Sequence, residues 1–378
     1  MIVLLSELGL NSWFDDHVRE LCGAGQSVAR VVAIDRGRIL VHDGERELSA
    51  ELLGKFFYKA ESAAKFPCFG DWVCLEHHSN DRDGSHPDEA KTFVTIHSIL
   101  PRRSLLKRKT VGYDEEFQML ASNIDVAFVV MACNYDFHVA KLERFLVMIH
   151  EAHIQPVLLF TKIDLITAEA LQLLIDDIRA ASIDIKILCI SNNTGDGLDQ
   201  VRQFIEAEKT YCLLGSSGVG KSTLMNQLIG ENSFETQAVS DSGQGRHTTV
   251  RRHLIQLKQG GLIVDMPGMR ELAVAEVKEG IEGSFADIIE LTQSCRFSNC
   301  SHSSEPGCAI LAALSSKELG REHYKNYLKI QQESRHHKKQ NSYVEKRRKA
   351  KNASRVALSK TKQRKLRRAD PEQEDESG

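Results

Sequence analysis

The rhythm of hydrophobic and polar positions changes twice along the chain, and each change marks a different architecture. Between residues 28 and 100 the apolar runs are short and bounded by turn signals. Val28–Ile34, Arg38–His42, Asp71–Leu75 and Thr92–Ile96 read as strands. Asp35-Arg36-Gly37 and His42-Asp43-Gly44 are hairpin-type turns, and Asn80–Ala90 is a polar loop between strands. Short strands of this kind predict a small β-barrel, with an OB-fold as the leading topology. Residues 1–27 read as a short amphipathic extension.

From Ser122 onward, apolar strands alternate with segments of helical period. Asp125–Cys133, Pro156–Phe160 and Ile185–Ile190 are strands; Val139–Ala152, Ala168–Ala181 and Leu198–Ile205 are helices. In the first helix Leu142, Phe145, Leu146 and Ile149 recur at i, i+3, i+4 and i+7. The alternation predicts an α/β domain over 122–275, a parallel sheet with helices on both faces. Val250–Leu257 and Leu262–Val264 read as a strand pair across Gln259-Gly260-Gly261. A small, mostly α domain follows over 276–335, with helices at Ala309–Leu314 and Lys317–Gln332. Residues 101–121, opening on the basic run Pro101–Lys109, read as a linker that either lies on RNA or is solvated.

One stretch organises the middle of the chain. Tyr211–Leu214 is a strand that feeds Gly215-Ser216-Ser217-Gly218-Val219-Gly220-Lys221-Ser222-Thr223, and Leu224–Ile229 continues with helical spacing. Strand, G-x-x-x-x-G-K-S, helix is a phosphate-binding loop in its required context. Glycines let the backbone turn so that successive N–H groups face one concavity, and the helix N-terminus adds favourable field there. Lys221 is expected at the β/γ-phosphates and the Ser222 hydroxyl on Mg²⁺.

Two further segments fall at strand ends, where open α/β sheets place their ligands. Thr161-Lys162-Ile163-Asp164 follows Pro156–Phe160. A carboxylate at Asp164 can accept from the N1–H and N2–H₂ edge of guanine. Adenine has neither donor and would leave that carboxylate unpaired, which argues against an ATPase. Lys162 would lay its stem over the base, and Ser191-Asn192-Asn193 would back it. Asp265, with Gly268 three residues on, supplies the metal side: Asp265 for a Mg²⁺-bound water, Gly268 N–H for the γ-phosphate. Thr248 or Thr249 would close the Mg²⁺ shell with GTP bound, making Gly245–Thr249 a switch. Ordinary GTPases place the phosphate loop first and the base-reading segment last. Here base reading at 161–164 precedes the phosphate loop at 215–222, which precedes Asp265.

Cys295-x₄-Cys300-x-His302-x₅-Cys308 packs three thiols and an imidazole into fourteen residues, a full tetrahedral set for one structural Zn²⁺. The rotated order, the Gly245-Arg246-His247-Thr248-Thr249 loop and this cluster together resemble the circularly permuted ribosome-biogenesis GTPases of the RsgA (YjeQ) family, over about residues 27–335. The resemblance implies an N-terminal OB-fold, a permuted GTPase core and a zinc domain using the same four ligands. It further implies hydrolysis of GTP to GDP and phosphate, stimulated by the small (30S) ribosomal subunit late in its maturation. The partners are then that subunit and its 16S rRNA, with the protein itself a monomer. Many GTPases carry a glutamine just after Asp-x-x-Gly; Met269 stands there instead. His247, whose neutral imidazole can accept a hydrogen bond from water, is the candidate to position the attacking water; contact with RNA or solvent is its alternative role. A GTP-binding, RNA-binding assembly factor with incidental hydrolysis is the competing reading.

Charge adds one feature. The net charge is −3, but Arg335–Arg368 holds fifteen Lys/Arg against one acid, Glu345, before an acidic end at Asp370–Glu376. The tail, 336–378, therefore reads as a flexible nucleic-acid arm. The chain start lacks the basic segment and the long apolar run of a signal peptide, and no stretch is long enough to span a membrane. The nine cysteines sit mostly alone in apolar runs, among them Cys74, Cys133, Cys189 and Cys212, which suits a reducing cytoplasm.

Overall fold

The structure, a computed structural model, describes residues 4–35, 38–56, 65–78, 93–109, 117–230, 254–265 and 277–336. Five strands close a barrel: β1 (Ser27–Asp35), β2 (Arg38–His42), β3 (Glu47–Leu52), β4 (Trp72–His78) and β5 (Phe93–Ile99), in the order β1-β2-β3-β5-β4. β3 pairs parallel to β5, and the other ladders are antiparallel. This is an OB-like arrangement. Alternate residues turn inward, so Val31, Val41, Ala50, Val73, Val94 and Ile96 fill the interior. β3 lies outside the four strands legible in the pattern, because its inward residues Leu48 and Ala50 are flanked by Glu47, Ser49 and Glu51.

The first residues do more than extend the chain. α1 (Ser12–Leu21) is capped by Asn11, whose side chain accepts from Trp13 N, and it buries Phe14 against Trp72. Cys74, expected to stand alone, is disulfide-bonded to Cys22 just past α1, with Cα atoms 5.4 Å apart. Leu8, Phe14, Trp72, Leu100 and Leu262 form one apolar cluster between barrel and sheet. Arg30, 1% exposed, crosses the same boundary. It donates to Leu8 O, Gly70 O, Asn123 O and Thr210 Oγ1, and lies over the Trp72 ring. Burial lowers its pKa to about 10 against the pull of Asp125 and Asp71, so it stays charged at neutral pH.

The expectation of a linker over 101–121 is corrected. β6 (Leu105–Lys109) and β7 (Phe117–Ser122) pair as an antiparallel ribbon, with Leu106 and Leu120 buried in the α/β core. The basic residues that suggested solvent or RNA are partly committed inside. Arg102 forks onto Asp71 at 2.7 Å through both Nε and Nη2, and Arg103 pairs with Asp125 at 3.3 Å. A buried carboxylate needs such a partner.

Seven further elements build the sheet and its cover: β8 (Val126–Ala132), α2 (Val139–Glu151), β9 (Gln155–Thr161), α3 (Ala168–Ala180), β10 (Lys186–Cys189), α4 (Leu198–Phe204) and β11 (Thr210–Leu214). α5 (Lys221–Ile229), β12 (Leu254–Gln256) and β13 (Leu262–Asp265) complete it. The strand order is β10-β9-β8-β11-β13-β12, parallel except for the edge strand β12. β8 and β11 are buried along their whole length, as a central strand covered on both faces requires. One face packs α2 and α3, the other α4 and α5. The chain runs outward from β8 to β10, then returns to β11 on the other side of β8. That reversal leaves a crevice beyond the carboxyl ends of β8 and β11.

α6 (Lys278–Ser284), α7 (Ala286–Gln293), α8 (Ala309–Ser316) and helical residues 321–336 form the last unit. Lys317 adopts a left-handed φ of 65° and ends α8, so the helix expected from Lys317 begins at 321 instead. The unit docks on α2. A Cβ at Gly280 would lie 2.0 Å from Val147 O, so only glycine permits the approach. Glu143, 1% exposed, meets His323 Nδ1 at 2.5 Å and accepts from Asn326 Nδ2; His323 Nε2 reaches Asp287 at 3.2 Å. Burial works against a charged His323, but the two carboxylates outweigh it and lift its pKa to about 9. Arg144 forks onto Glu333 at 3.1 and 2.8 Å beside this buried set.

Candidate functional site

The crevice holds the glycine loop. β11 delivers Gly215 with φ 152°, where a Cβ would fall 2.3 Å from Val130 O on the neighbouring strand. Gly220, φ 100°, caps α5, and a Cβ there would meet Asn192 Nδ2 at 2.6 Å. Neither position admits another residue without moving its neighbours. Ser217, Gly218 and Ser222 are exposed at the mouth, whereas Val219 is buried beneath it. Thr223 sits half-buried in the first turn of α5. A glycine turn leading into a helix N-terminus is suited to phosphate oxygens.

A turn whose N–H groups face inward turns its carbonyls outward, and those carbonyls need donors of their own. Gly218 O accepts from the Tyr135 hydroxyl at 3.1 Å, Val219 O from Thr161 Oγ1 at 2.7 Å, and Gly220 O from Asn192 Nδ2 at 3.0 Å. Three successive carbonyls are thus held from the ends of three parallel strands, β8, β9 and β10. Lys221 Nζ donates to two more, Gly215 O at 2.9 Å and Ser216 O at 2.6 Å. Lys141 Nζ, paired with Asp136 at 2.5 Å, donates to Ser216 Oγ at 2.7 Å.

The strand ends that brace the loop also carry the expected base-reading segment. Thr161 is fully buried, and Lys162 turns the chain through a left-handed φ of 61° into a 3₁₀ turn, Ile163–Leu165. Ile163 packs on the core and donates its N–H to Ile190 O. The turn leaves Asp164 exposed, and buried Ser191 donates to its Oδ1 at 2.6 Å. Ser191 Oγ in turn accepts from the N–H groups of Asn193 and Thr194. One carboxylate oxygen is therefore fixed by a side chain that is itself fixed.

Thr161 to Asp164, Ser191 and Gly215 to Thr223 thus gather at one edge of the sheet. Asn192, expected to back a base, holds Gly220 O and accepts from Gln227 Nε2 at 2.7 Å. The backbone of Asp265 pairs with Leu213, at the end of the strand beside the glycine loop. His247, Thr248, Thr249 and Gly268 lie outside the described residues, as does the tail beyond residue 336. Sequence reasoning missed Tyr135 and Lys141. The only signal for them is position: Tyr135 lies in the connection leaving β8 and Lys141 in the first turn of α2 that follows, and both flank the crevice once the strand order is known.

In the last unit, Cys295, Cys300, His302 and Cys308 offer one ligand atom each, all within 4.8 Å of one another. His302 Nδ1 lies 3.5 Å from the sulfurs of Cys295 and Cys308, which are 4.0 Å apart. Desolvation opposes a thiolate at Cys295, but the N–H groups of Ala309 and Ile310 at the start of α8 outweigh it and lower its pKa. Glu305 accepts from Ser301 N at 2.7 Å and Ser303 N at 2.9 Å, shaping the loop between the last two ligands. The four residues can hold a metal ion. By contrast burial raises the thiols of Cys133, to about 11, and Cys212, to about 12, and keeps them neutral in the sheet core.

Comparison with known proteins agrees with this geometry. The profile of the RsgA GTPase family matches residues 99–275, and that of the 50S ribosome-binding GTPases matches 210–351, starting at the strand that feeds the glycine loop. The chain is 37% identical over 82% of its length to the small ribosomal subunit biogenesis GTPase RsgA 2 of Lactiplantibacillus plantarum, covering 84% of that protein. It is 36% identical over 87% of its length to the RsgA of Streptomyces coelicolor, covering 86% of it. In fold it is similar to crystallographic YjeQ from Thermotoga maritima, with a TM-score of 0.58 at 24% identity over 81% of this chain and 97% of that one. It is also similar to YloQ, described as a circularly permuted GTPase, with a TM-score of 0.55 at 23% identity over 82% and 95%. Relatives at this identity over most of its length place the chain in the RsgA GTPase family.

Proposed function

We propose that this protein hydrolyses GTP to GDP and phosphate in the late maturation of the small ribosomal subunit, and that contact with the subunit stimulates it. The observation that carries this reading is the bracing of the glycine loop by the base-reading strand ends. Thr161 ties the segment bearing Asp164 to Val219, and Asn192 ties the segment bearing Ser191 to Gly220. One ligand then spans both: phosphates on the amides of Ser216–Thr223 and on Lys221, a guanine edge on Asp164. Ser191 holds one oxygen of that carboxylate and leaves the other directed by the same geometry. Adenine, lacking both N1–H and a 2-amino group, cannot make that pair of donations.

Mg²⁺ would be held by Ser222 and, through water, by Asp265, and would neutralise charge developing on the transferred phosphoryl group. Thr248 or Thr249 would supply a further Mg²⁺ ligand, Gly268 N–H would meet the γ-phosphate, and His247 would position the water where many GTPases use a glutamine and this chain has Met269. The Cys/His cluster holds a structural zinc. Tetrahedral Zn²⁺ with sulfur at about 2.3 Å and nitrogen at about 2.0 Å sets ligands roughly 3.5 Å apart for S to N and roughly 3.8 Å for S to S. The sulfur-to-nitrogen distance of 3.5 Å and sulfur separation of 4.0 Å fit. Barrel, zinc unit and basic tail supply the rRNA contacts of a cytoplasmic monomer. Among the described residues no helix is long and apolar enough to cross a membrane.

The relatives that share most of the chain's length are named for the small subunit, which favours that particle over the large one suggested by the shorter match at 210–351. Steady-state GTP hydrolysis titrated with purified 30S and 50S particles at two salt concentrations tests the proposal. Stimulation by 30S particles that weakens at high salt, and is lost in His247→Ala with GDP affinity kept, is the expected result. Equal rates with and without 30S would favour a GTP-binding assembly factor instead.

A further inference from the structure

The connection from β8 to α2 carries a group that neither the motifs nor the family assignment places. Tyr135 is 55% exposed, unusual for a tyrosine between two buried elements. Its hydroxyl donates to Gly218 O at 3.1 Å and accepts from Lys162 Nζ at 3.2 Å, and the same ammonium lies 4.8 Å from the centre of its ring. Lys162 adopts its left-handed φ as the first residue of the base-reading turn. Three residues from three distant parts of the chain are therefore joined through one phenol at the mouth of the crevice.

Compared with its two neighbours in the bracing set, Tyr135 is the exception. Thr161 is fully buried and Asn192 half-buried, and each holds its carbonyl from below. Tyr135 reaches its carbonyl from the solvent side and couples it to a lysine whose stem is placed to cover a base. Six residues on, in the first turn of α2, Lys141 grips Ser216, so the connection and the helix it enters together hold the glycine loop at two points. The aromatic ring gives the ammonium a second attraction independent of the hydroxyl.

We propose that Tyr135 is a positioning residue of the nucleotide site, which makes seating of the guanine on Lys162 and seating of the phosphates on the Gly218 turn interdependent. The proposal rests on the guanine-nucleotide reading above. A base that settles against Lys162 fixes the ammonium, the ammonium fixes the phenol, and the phenol fixes the Gly218 carbonyl. The amides on the other side of that turn then face the phosphates in one orientation.

A thermodynamic cycle on the full-length protein tests this, with dissociation of fluorescent GDP in Mg²⁺ as the readout. The variants are Tyr135→Phe, Lys162→Met and the pair. Tyr135→Phe keeps the ring and removes only the two hydroxyl bonds; the exposed site leaves the melting temperature within about a degree of wild type. It should weaken GDP three- to tenfold, mainly through faster release. In the Lys162→Met background the same change should do nothing further. Wild-type affinity in Tyr135→Phe, an equal further loss in the double variant, or loss of affinity that tracks a lowered melting temperature would each overturn the proposal. A wild-type protein that binds no GDP would instead defeat the nucleotide reading itself.

Discussion

The glycine loop and the Cys/His loop are both short, both bend the chain tightly, and use their polar groups in opposite directions. Around the glycine loop the outward carbonyls of Gly218, Val219 and Gly220 are secured by Tyr135, Thr161 and Asn192. The inward side stays facing the crevice, as a site that must exchange ligands requires. In the Cys/His loop all four ligand atoms converge within 4.8 Å, and a filled tetrahedral set has no position left for substrate. The first arrangement organises protein so that something else can bind and leave. The second can use a bound ion to organise protein, and the comparison predicts that damage to the two will separate.

The largest effect should follow removal of the metal. Cys308 is 5% exposed and packs with Phe285, Ile288 and Ile310. Apparent binding free energies of structural zinc are about 10–16 kcal/mol, more than so small a core provides by itself. Cys308→Ser should abolish bound zinc, measured by mass spectrometry, and unfold the unit after residue 277. GDP affinity should change by less than about threefold, because none of the loop's bracing partners lies there.

Next in size is the joint between the two regions, where His323 on the zinc unit meets Glu143 on α2, with side chains 3% and 1% exposed. The folded pKa of His323, about 9, lies above its unfolded value of 6.5. Its contribution is therefore complete below pH 6.5 and disappears as the pH rises through 9. Urea unfolding at pH 6, 7.5 and 9 should show a loss on the order of 3 kcal/mol across that window. Glu143→Gln should flatten the slope and cost about 3 kcal/mol at pH 6.

A smaller change isolates the bracing. Thr161→Val keeps the shape of a fully buried side chain and removes the donor to Val219 O. Leaving that carbonyl unpaired costs roughly 1–2 kcal/mol, so GDP release should quicken about tenfold while zinc content stays at one per chain.

What the sequence revealed divides along similar lines. Gly215 to Thr223, Thr161 to Asp164 and the four metal ligands are local patterns, each fixed by spacing within one loop, and they could be read directly. The groups that join those loops could not. Tyr135 and Gly218 are 83 residues apart, Glu143 and His323 180, and Arg30 and Thr210 also 180. No periodicity carries such pairings; they exist only once the strand order is set. Charge misled in one place: Arg102 and Arg103 suggested an exposed linker, whereas Asp71 and Asp125 draw them onto the ribbon of β6 and β7. Burial misled in another, since Cys74 has the apolar neighbours of a free thiol and Cys22 lies beyond the reach of any local pattern.

The central claim is that one guanine nucleotide bridges Asp164 and the glycine loop. Displacement of fluorescent GDP by unlabelled GDP, XDP and ADP, in wild type and in Asp164→Asn, tests it most directly. The account predicts that ADP fails to compete in wild type. It predicts that Asp164→Asn weakens GDP about a hundredfold, roughly 2.7 kcal/mol, and shifts the preference toward XDP. Competition by ADP as strong as by GDP, or an Asp164→Asn protein that binds GDP like wild type, would contradict it.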